Sequence, residues 1–393
     1  NRTGFYSMRD GHFLALQALV FALATAAFTN IYITQPVLPV LSAEFGINES
    51  TASFSVSAVI LGIALSNLLF GRLADRYPIK PIFLTGGCAI ALAGLLCAAT
   101  KNFWILTGAR FFQGLFIPAL TTCLAAYLSK HLPAERLNVA LGAYVAATVV
   151  GGLSGRLLGG WVHPPLHWRY AFVSAAIFVL VAVVAAALGL PAEKAKKAEE
   201  KEEGFIQLLS RPDLLRIYFV SFSAFFVFSS TFNYLPFYLT GPPFRATTQI
   251  ITLLYLAYIS GIIIAPLTGK LSNKIGNGAA MAWGSLIFGF FLGCTLIKSF
   301  TAIVAGLAGV CGGFFMVHSA AAGALNRKLS TSRGRANSLY VLFYYTGGTV
   351  GITLSGYGYM YGGWTAIVIM GAIMLLLPMI TGIFENRKDK SIV

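Results

Sequence analysis

GRLADRYPIK, Gly71 to Lys80, lies between two apolar runs, 51–70 and 81–99. Arg72, Arg76 and Lys80 surround Asp75, the only acid between Glu49 and Glu135. Each flanking run approaches the ~20 residues a helix needs to cross a hydrocarbon core. The decapeptide therefore reads as a polar connection between two membrane spans, and it keeps a lone carboxylate there.

The same rhythm of long apolar runs and short polar turns extends in both directions. The chain has 393 residues, of which 57% are hydrophobic and only 10% charged, with a mean hydropathy of +0.76. That composition is a polytopic membrane protein's. Twelve runs can span: roughly 13–38, 51–70, 81–99, 103–127, 138–161, 170–190, 216–240, 248–268, 279–297, 300–325, 336–360 and 363–384. The ~10-residue alternating segments of a membrane β-barrel are absent. The first run exceeds a secretory core of ~7–15 residues and continues through Asn30, Gln35 and Pro39, so it is expected to be a mature helix. All five cysteines fall inside apolar runs, without disulfide or metal-ligand spacing.

A net charge of +15 could suggest nucleic acid, but the distribution of the cations excludes it. Most of the 28 Lys and Arg lie in the termini and alternate loops, from Arg2 and Arg9 through Arg72, Arg76 and Lys80 to Arg387, Lys388 and Lys390. The opposite loops hold only Lys101, Arg169, Arg245 and Lys298. By the positive-inside rule both termini are expected in the cytoplasm. Arg110 and Arg156 fall within spans.

One segment breaks the pattern: PAEKAKKAEEKEEG, 191–204, a mixed-charge tether that divides the chain into halves of six helices. The halves resemble each other. Gly71–Lys80 returns at 269–278 as GKLSNKIGNG, and RLNVALGAYVAATVVGG from Arg136 aligns with RANSLYVLFYYTGGTVG from Arg335. Two weak matches at nearly one offset indicate duplication. The domains expected are a bundle over 1–190, a charged cytoplasmic linker over 191–212 and a second bundle over 213–393. Parallel six-helix repeats are the plan of one large transporter class.

These features resemble the major facilitator superfamily, and the similarity covers essentially all twelve helices. Its G-x-L-A-D-R-x-G-R-K loop is matched by Gly71, Leu73, Ala74, Asp75, Arg76 and Lys80, with Pro78 and Ile79 departing. Its helix-four motif is matched by Leu106, Arg110, Gln113 and Gly114. The helix-five motif of its export branches is matched by Gly151, Gly155, Gly159 and Gly160, with Arg156 in place of the proline. The chain most resembles bacterial drug/proton antiporters of the twelve-helix efflux branch. That implies an all-α membrane fold of two pseudo-symmetric six-helix bundles in the inner membrane. It also implies a conformational gate at Gly71, Asp75, Arg76 and Lys80, with Asp75 accepting hydrogen bonds near the start of helix eleven. The glycine-rich stretch of helix five, with Gly155, Arg156 and Gly159, belongs to the same moving apparatus.

All 13 acids fall in loops, termini or helix ends, so no carboxylate sits at mid-membrane. Where similar antiporters carry a first-helix acid, this chain has Asn30, Tyr32 and Gln35. What is embedded is basic. An uncompensated arginine costs ~2.5–3.5 kcal/mol in the membrane, which marks Arg110 and Arg156 as functional candidates. Either they bind an anionic group, or they cap helix-end carbonyls and neighbouring polar side chains. His318 on helix ten has the reference pKa of ~6.5 that suits a proton carrier; otherwise it is a packed neutral imidazole. Helices one and seven carry polar-aromatic breaks, the second with Asn233, Tyr234 and Pro236. Phe222, Phe225, Phe226 and Phe232, with Tyr255 and Tyr258, form either an aromatic cavity wall or a packing stripe. The glycines of helices five and eleven have small-xxx-small spacing and read as rocking interfaces.

The expected solute-binding set is therefore Asn30, Tyr32, Gln35, Arg110, Gln113, Phe226, Asn233, Tyr234, Tyr258 and His318, with His318 and Asp75 coupling protons. The leading expectation is a secondary transporter exporting small organic or amphipathic molecules by proton antiport. The alternatives are a uniporter or exchanger of organic anions, and a membrane receptor or enzyme. Against an enzyme stands the lack of a clustered acid, Ser/His/Asp or metal-ligand set, and against ATP use the lack of a phosphate-binding loop. No cofactor or metal is expected; the partners expected are a small-molecule substrate, protons and the lipid bilayer, and the protein is expected to be a monomer.

Overall fold

The computed structural model describes residues 10–132, 134–190, 204–329 and 332–390. The charged segment over 191–203 lies outside the described residues. All regular structure among the described residues is helical.

Helix α1 (Asp10–Thr29) stops at a turn over 30–34 and resumes as a tight turn, Gln35–Val37, and a short helix, Leu38–Phe45. Pro36 explains the break, because it has no N–H and its ring would strike the carbonyl of residue 32 in a continuous helix. After the turn Glu49–Ala52, capped by Asn48 Oδ1 accepting from the Thr51 N–H at 2.8 Å, come α2 (Phe54–Arg76), α3 (Ile79–Ala99), α4 (Phe103–Leu120, continued by Thr122–His131), α5 (Ala134–Val162) and α6 (Arg169–Gly189). Past the short helix Phe205–Leu209 follow α7 (Pro212–Thr240), α8 (Tyr258–Ile275, preceded by Thr248–Leu254), α9 (Asn277–Cys294) and α10 (Phe300–Arg327). A final helical stretch, Arg333–Lys390, is divided at Gly363, whose φ of 56° is open to glycine, into α11 (333–362) and α12 (364–390). Among the described residues ten stretches are long and apolar enough to cross a membrane, and the last of them is this double one; Phe13–Thr29 is a shorter apolar helix. The twelve spans expected from hydropathy are thereby accounted for.

The decapeptide read as a loop is mostly helix. Helix α2 runs through Gly71 to Arg76, leaving only Tyr77 and Pro78 as the turn before α3. Proline ends one helix by its missing N–H and starts the next with its fixed φ, here −59°. In the second copy Gly276 occupies the place of Pro78 and turns the chain with a φ of 87°. The duplicated turn is kept, by different chemistry.

The chain packs as two compact units, one of Asn1–Thr34 with Ala58–Glu200, the other of Gln35–Ser57 with Lys201–Val393. Within the first, α1 lies along α5 and α3 along α4 and α6; within the second, α7 lies along the α11–α12 stretch and α10 along α8 and α9. Glycines allow the closest approaches. A Cβ on Gly151 or Gly155 of α5 would collide with backbone of α1 at Thr25 and Thr29, one on Gly159 with Ile33 of the turn after α1, and one on Gly347 or Gly351 of α11 with the carbonyls of Phe222 and Phe226 on α7. These glycines join helix pairs inside one unit, which corrects the expectation of a rocking interface. Small-residue spacing marks close approach without naming the partner.

Candidate functional site

The expected residues gather into two groups, one in each unit. In the first unit the break in α1 leaves the carbonyls of Asn30 and Ile31 without helical partners. Arg110 of α4, fully buried, takes both: its Nη1 donates to Asn30 O at 2.6 Å and its Nη2 donates to Ile31 O. Nη1 also donates to Gln113 Oε1 at 2.6 Å. Gln113 Nε2 in turn donates to Asn30 Oδ1 at 3.3 Å and to Ile90 O of α3 at 3.1 Å. Asn30 Nδ2 closes the set on Ala26 O at 2.8 Å, and the Phe172 ring of α6 lies 5.5 Å from the guanidinium carbon. Arg110 thus ties α4 to the interrupted α1. Of the two roles open to it from sequence, carbonyl capping is the one its contacts display.

Arg156 of α5 is also buried. Its guanidinium carbon stands 3.8 Å from the centre of the Tyr32 ring, and its Nη1 donates to Gly152 O, one turn back, at 2.8 Å. A cation held over an aromatic face in a desolvated place gains up to ~2 kcal/mol or more. Both embedded arginines therefore meet the broken stretch of α1, one on its carbonyls and one on its tyrosine.

In the second unit Gln35 is buried at the start of the tight turn, and Asn233 Nδ2 donates to Ser53 Oγ at 2.8 Å. Tyr234 OH donates to Ile352 O of α11 at 2.8 Å, and its ring stacks on Tyr359 at 5.3 Å. A Cβ at Gly356 would meet Ser50 and the Tyr234 hydroxyl. The connection between α1 and α2 is thereby seated on α7 and α11. Ser53 carried no signal in the sequence, since its partner is distant along the chain.

Deeper in the same unit the phenylalanines of α7 join a continuous aromatic cluster. Phe228 stacks on Phe314 of α10 at 3.9 Å, and Phe225 on Tyr344 of α11 at 3.8 Å. Tyr258 packs on Phe228 and Phe232. Phe226 is buried, with its carbonyl accepting from Ser230 Oγ at 2.7 Å. His318 lies nearly parallel to Phe314, at 5.8 Å and 11°, and its Nδ1 is 2.9 Å from Tyr340 OH. Tyr340 and Tyr344 share one face of α11 at helical spacing, a pattern visible in the sequence but not used there.

Within Gly71–Lys80, Arg76 is exposed and Gly71 and Lys80 are partly buried; the Asp75 side chain lies outside the described residues. Lys130 Nζ donates to Ala74 O at 2.7 Å, capping the end of α2. In the second copy Arg327 donates to Asn273 Oδ1 at 3.0 Å. Nearby, buried Glu385 receives Lys328 at 2.6 Å and Arg216 at 3.4 Å. An apolar groove of about 510 Å³ runs beside the end of α5, lined by Leu157, Leu158, Trp161 and their neighbours, and holds no charged group.

The chain matches the family model described as Major Facilitator Superfamily over residues 20–278 and 241–392. It is 27% identical over 390 residues to the inner membrane transport protein YnfM of Escherichia coli (strain K12), covering 96% of this chain and 91% of that one. It is 26% identical over 367 residues to the uncharacterized MFS-type transporter YybF of Bacillus subtilis (strain 168), covering 91% and 90%. Among solved structures, a bacterial homologue of the human lysosomal transporter Spinster, inward-facing and unoccupied, aligns with a TM-score of 0.73 at 16% identity, covering 96% and 95%. A point mutant of the nucleoside transporter NupG aligns with a TM-score of 0.77 at 11% identity, covering 95% and 99%. These two likenesses show the fold alone.

Proposed function

This chain belongs to the Major Facilitator Superfamily and is a multi-pass membrane transporter, and from that premise we propose that it exports small organic or amphipathic molecules by alternating access, in exchange for protons. The moving parts are the bundles 1–190 and 213–393, tethered by 191–212, with both termini cytoplasmic and the bacterial inner membrane as the site. One observation carries the reading. The connection Gln35–Ser57, covalently part of the first half, packs with the second unit through Asn233 on Ser53. Val37, Leu38 and Leu41 are buried beside these polar contacts, so a cycle of alternating access would carry this connection with the second bundle while α1 and α2 move with the first. Such a division of the chain suits a two-state element.

Coupling is assigned to His318 and to Asp75. Supporting it, no acid falls in the middle of a span, and His318 is the one histidine there. The organic-anion reading rested on Arg110 and Arg156; the contacts of Arg110 with two carbonyls and Gln113 account for its burial without a ligand, which weighs against an anion site there. The test is solute flux through purified protein in liposomes under an imposed pH gradient. Flux that ignores the gradient and moves no protons defeats the coupling.

A further inference from the structure

We propose that the solute is a planar, uncharged aromatic molecule carrying an O–H or N–H donor, seated on His318 and Tyr344 with its donor on His318 Nε2. This names the substrate class for the transport reading above and rests on it. Tyr340 OH is 2.9 Å from His318 Nδ1 and 3.3 Å from the His318 carbonyl oxygen. One hydroxyl serves both contacts without splitting its proton when it accepts from Nδ1–H and donates to the carbonyl. That arrangement puts the ring's only proton on Nδ1 and leaves the Nε2 lone pair able to accept. Among the described residues Nε2 has no hydrogen-bond partner.

The ring is fixed on its other side as well. Phe314 lies parallel to it, itself stacked on Phe228, and Phe314, Phe228 and Tyr340 are buried at 2–3% exposure. His318 and Tyr344 alone of this set stay partly exposed. Their centroids are 5.2 Å apart and their planes inclined at 54°, so the two rings touch as a tilted pair whose partly exposed rims are what a flat solute would meet. Offset and edge-to-face ring contacts are the favoured aromatic geometries. An acceptor nitrogen set in aromatic walls selects a flat molecule with a donor, because an analogue lacking the donor leaves that nitrogen unsatisfied. A cation finds no acid there, since every acid in the chain lies at a helix end, in a loop or in a terminus. Tyr340 is a positioning residue: it acts through the tautomer of His318.

The experiment measures binding to the purified full-length protein by thermal stabilisation, with indole, N-methylindole, phenol, anisole and phenethylammonium as probes. Indole and phenol should bind about tenfold more tightly than their methylated partners, and phenethylammonium should not bind. Tyr340→Phe should shrink the tenfold preference to about twofold while leaving N-methylindole affinity unchanged, an effect that mere loss of packing would not give. His318→Gln should abolish the preference. Equal affinity for indole and N-methylindole in the unmodified protein overturns the proposal, whatever the variants do. So does a preference that survives His318→Gln. If none of the probes binds while liposomes still carry another solute, this inference fails and the transport reading stands; if no solute moves at all, the transport reading fails.

Discussion

Replacing Arg110 by methionine keeps an unbranched, apolar stem and removes its donors. Three buried acceptors then lose their partner: Asn30 O, Ile31 O and Gln113 Oε1. Each orphaned buried acceptor costs about 1–3 kcal/mol, against which stands the several kcal/mol of desolvation no longer spent on a guanidinium. The net expectation is a loss of about 3 kcal/mol. For a unit of this size that lowers the unfolding midpoint by about 6–12 °C, read by thermal unfolding of the purified protein. Arg110→Lys should recover little, because one ammonium cannot reproduce a planar fork that reaches two carbonyls and an amide. Transport of every solute should fall together. Unchanged stability, with loss confined to anionic solutes, would refute the staple and restore the anion-site reading.

Other outcomes follow from the same contacts. Gly155→Val or Gly159→Val should prevent folding, judged by expression and size-exclusion profile, since the new Cβ meets backbone of α1 or of the turn after it; Gly108→Ala, with nothing within 4 Å, should be neutral or stabilise by up to ~1 kcal/mol. Glu385→Gln leaves Arg216 and Lys328 without their shared carboxylate, and as both cations are partly exposed the cost should be about 1–3 kcal/mol, seen in the unfolding midpoint. Asp75→Asn should reduce turnover more than solute affinity, and an unchanged transport rate would defeat its assignment to the gate.

The twelve spans and the duplicated turn were legible because hydropathy and turn chemistry are local properties. The chemistry of the embedded arginines was legible only as a pair of alternatives. Arg110 acts on carbonyls some 80 residues earlier, which are left as acceptors because α1 ends at Thr29 and the chain turns over 30–34. Deciding between capping and ligand binding requires knowing which backbone lies opposite. Separation along the chain likewise hides Ser53 from Asn233, 180 residues apart, and Tyr340 from His318, 22 apart. Glu385 reads as a terminal acid, yet it is buried because the ends of α7 and α10 bring cations to it. The glycines show the converse limit: their four-residue spacing announced a close contact correctly but said nothing of whether it lay within a bundle or between two.

The central claim is that this chain moves a small organic solute across a membrane at the expense of a proton gradient. Purified protein reconstituted in liposomes, with indole and an internal pH indicator, measures both fluxes at once. Solute movement that scales with the pH gradient, is matched by proton counter-movement and collapses on adding a protonophore is the predicted result. Solute and proton fluxes no greater than those of protein-free liposomes, for indole and for a panel of neutral, anionic and cationic solutes alike, would contradict it.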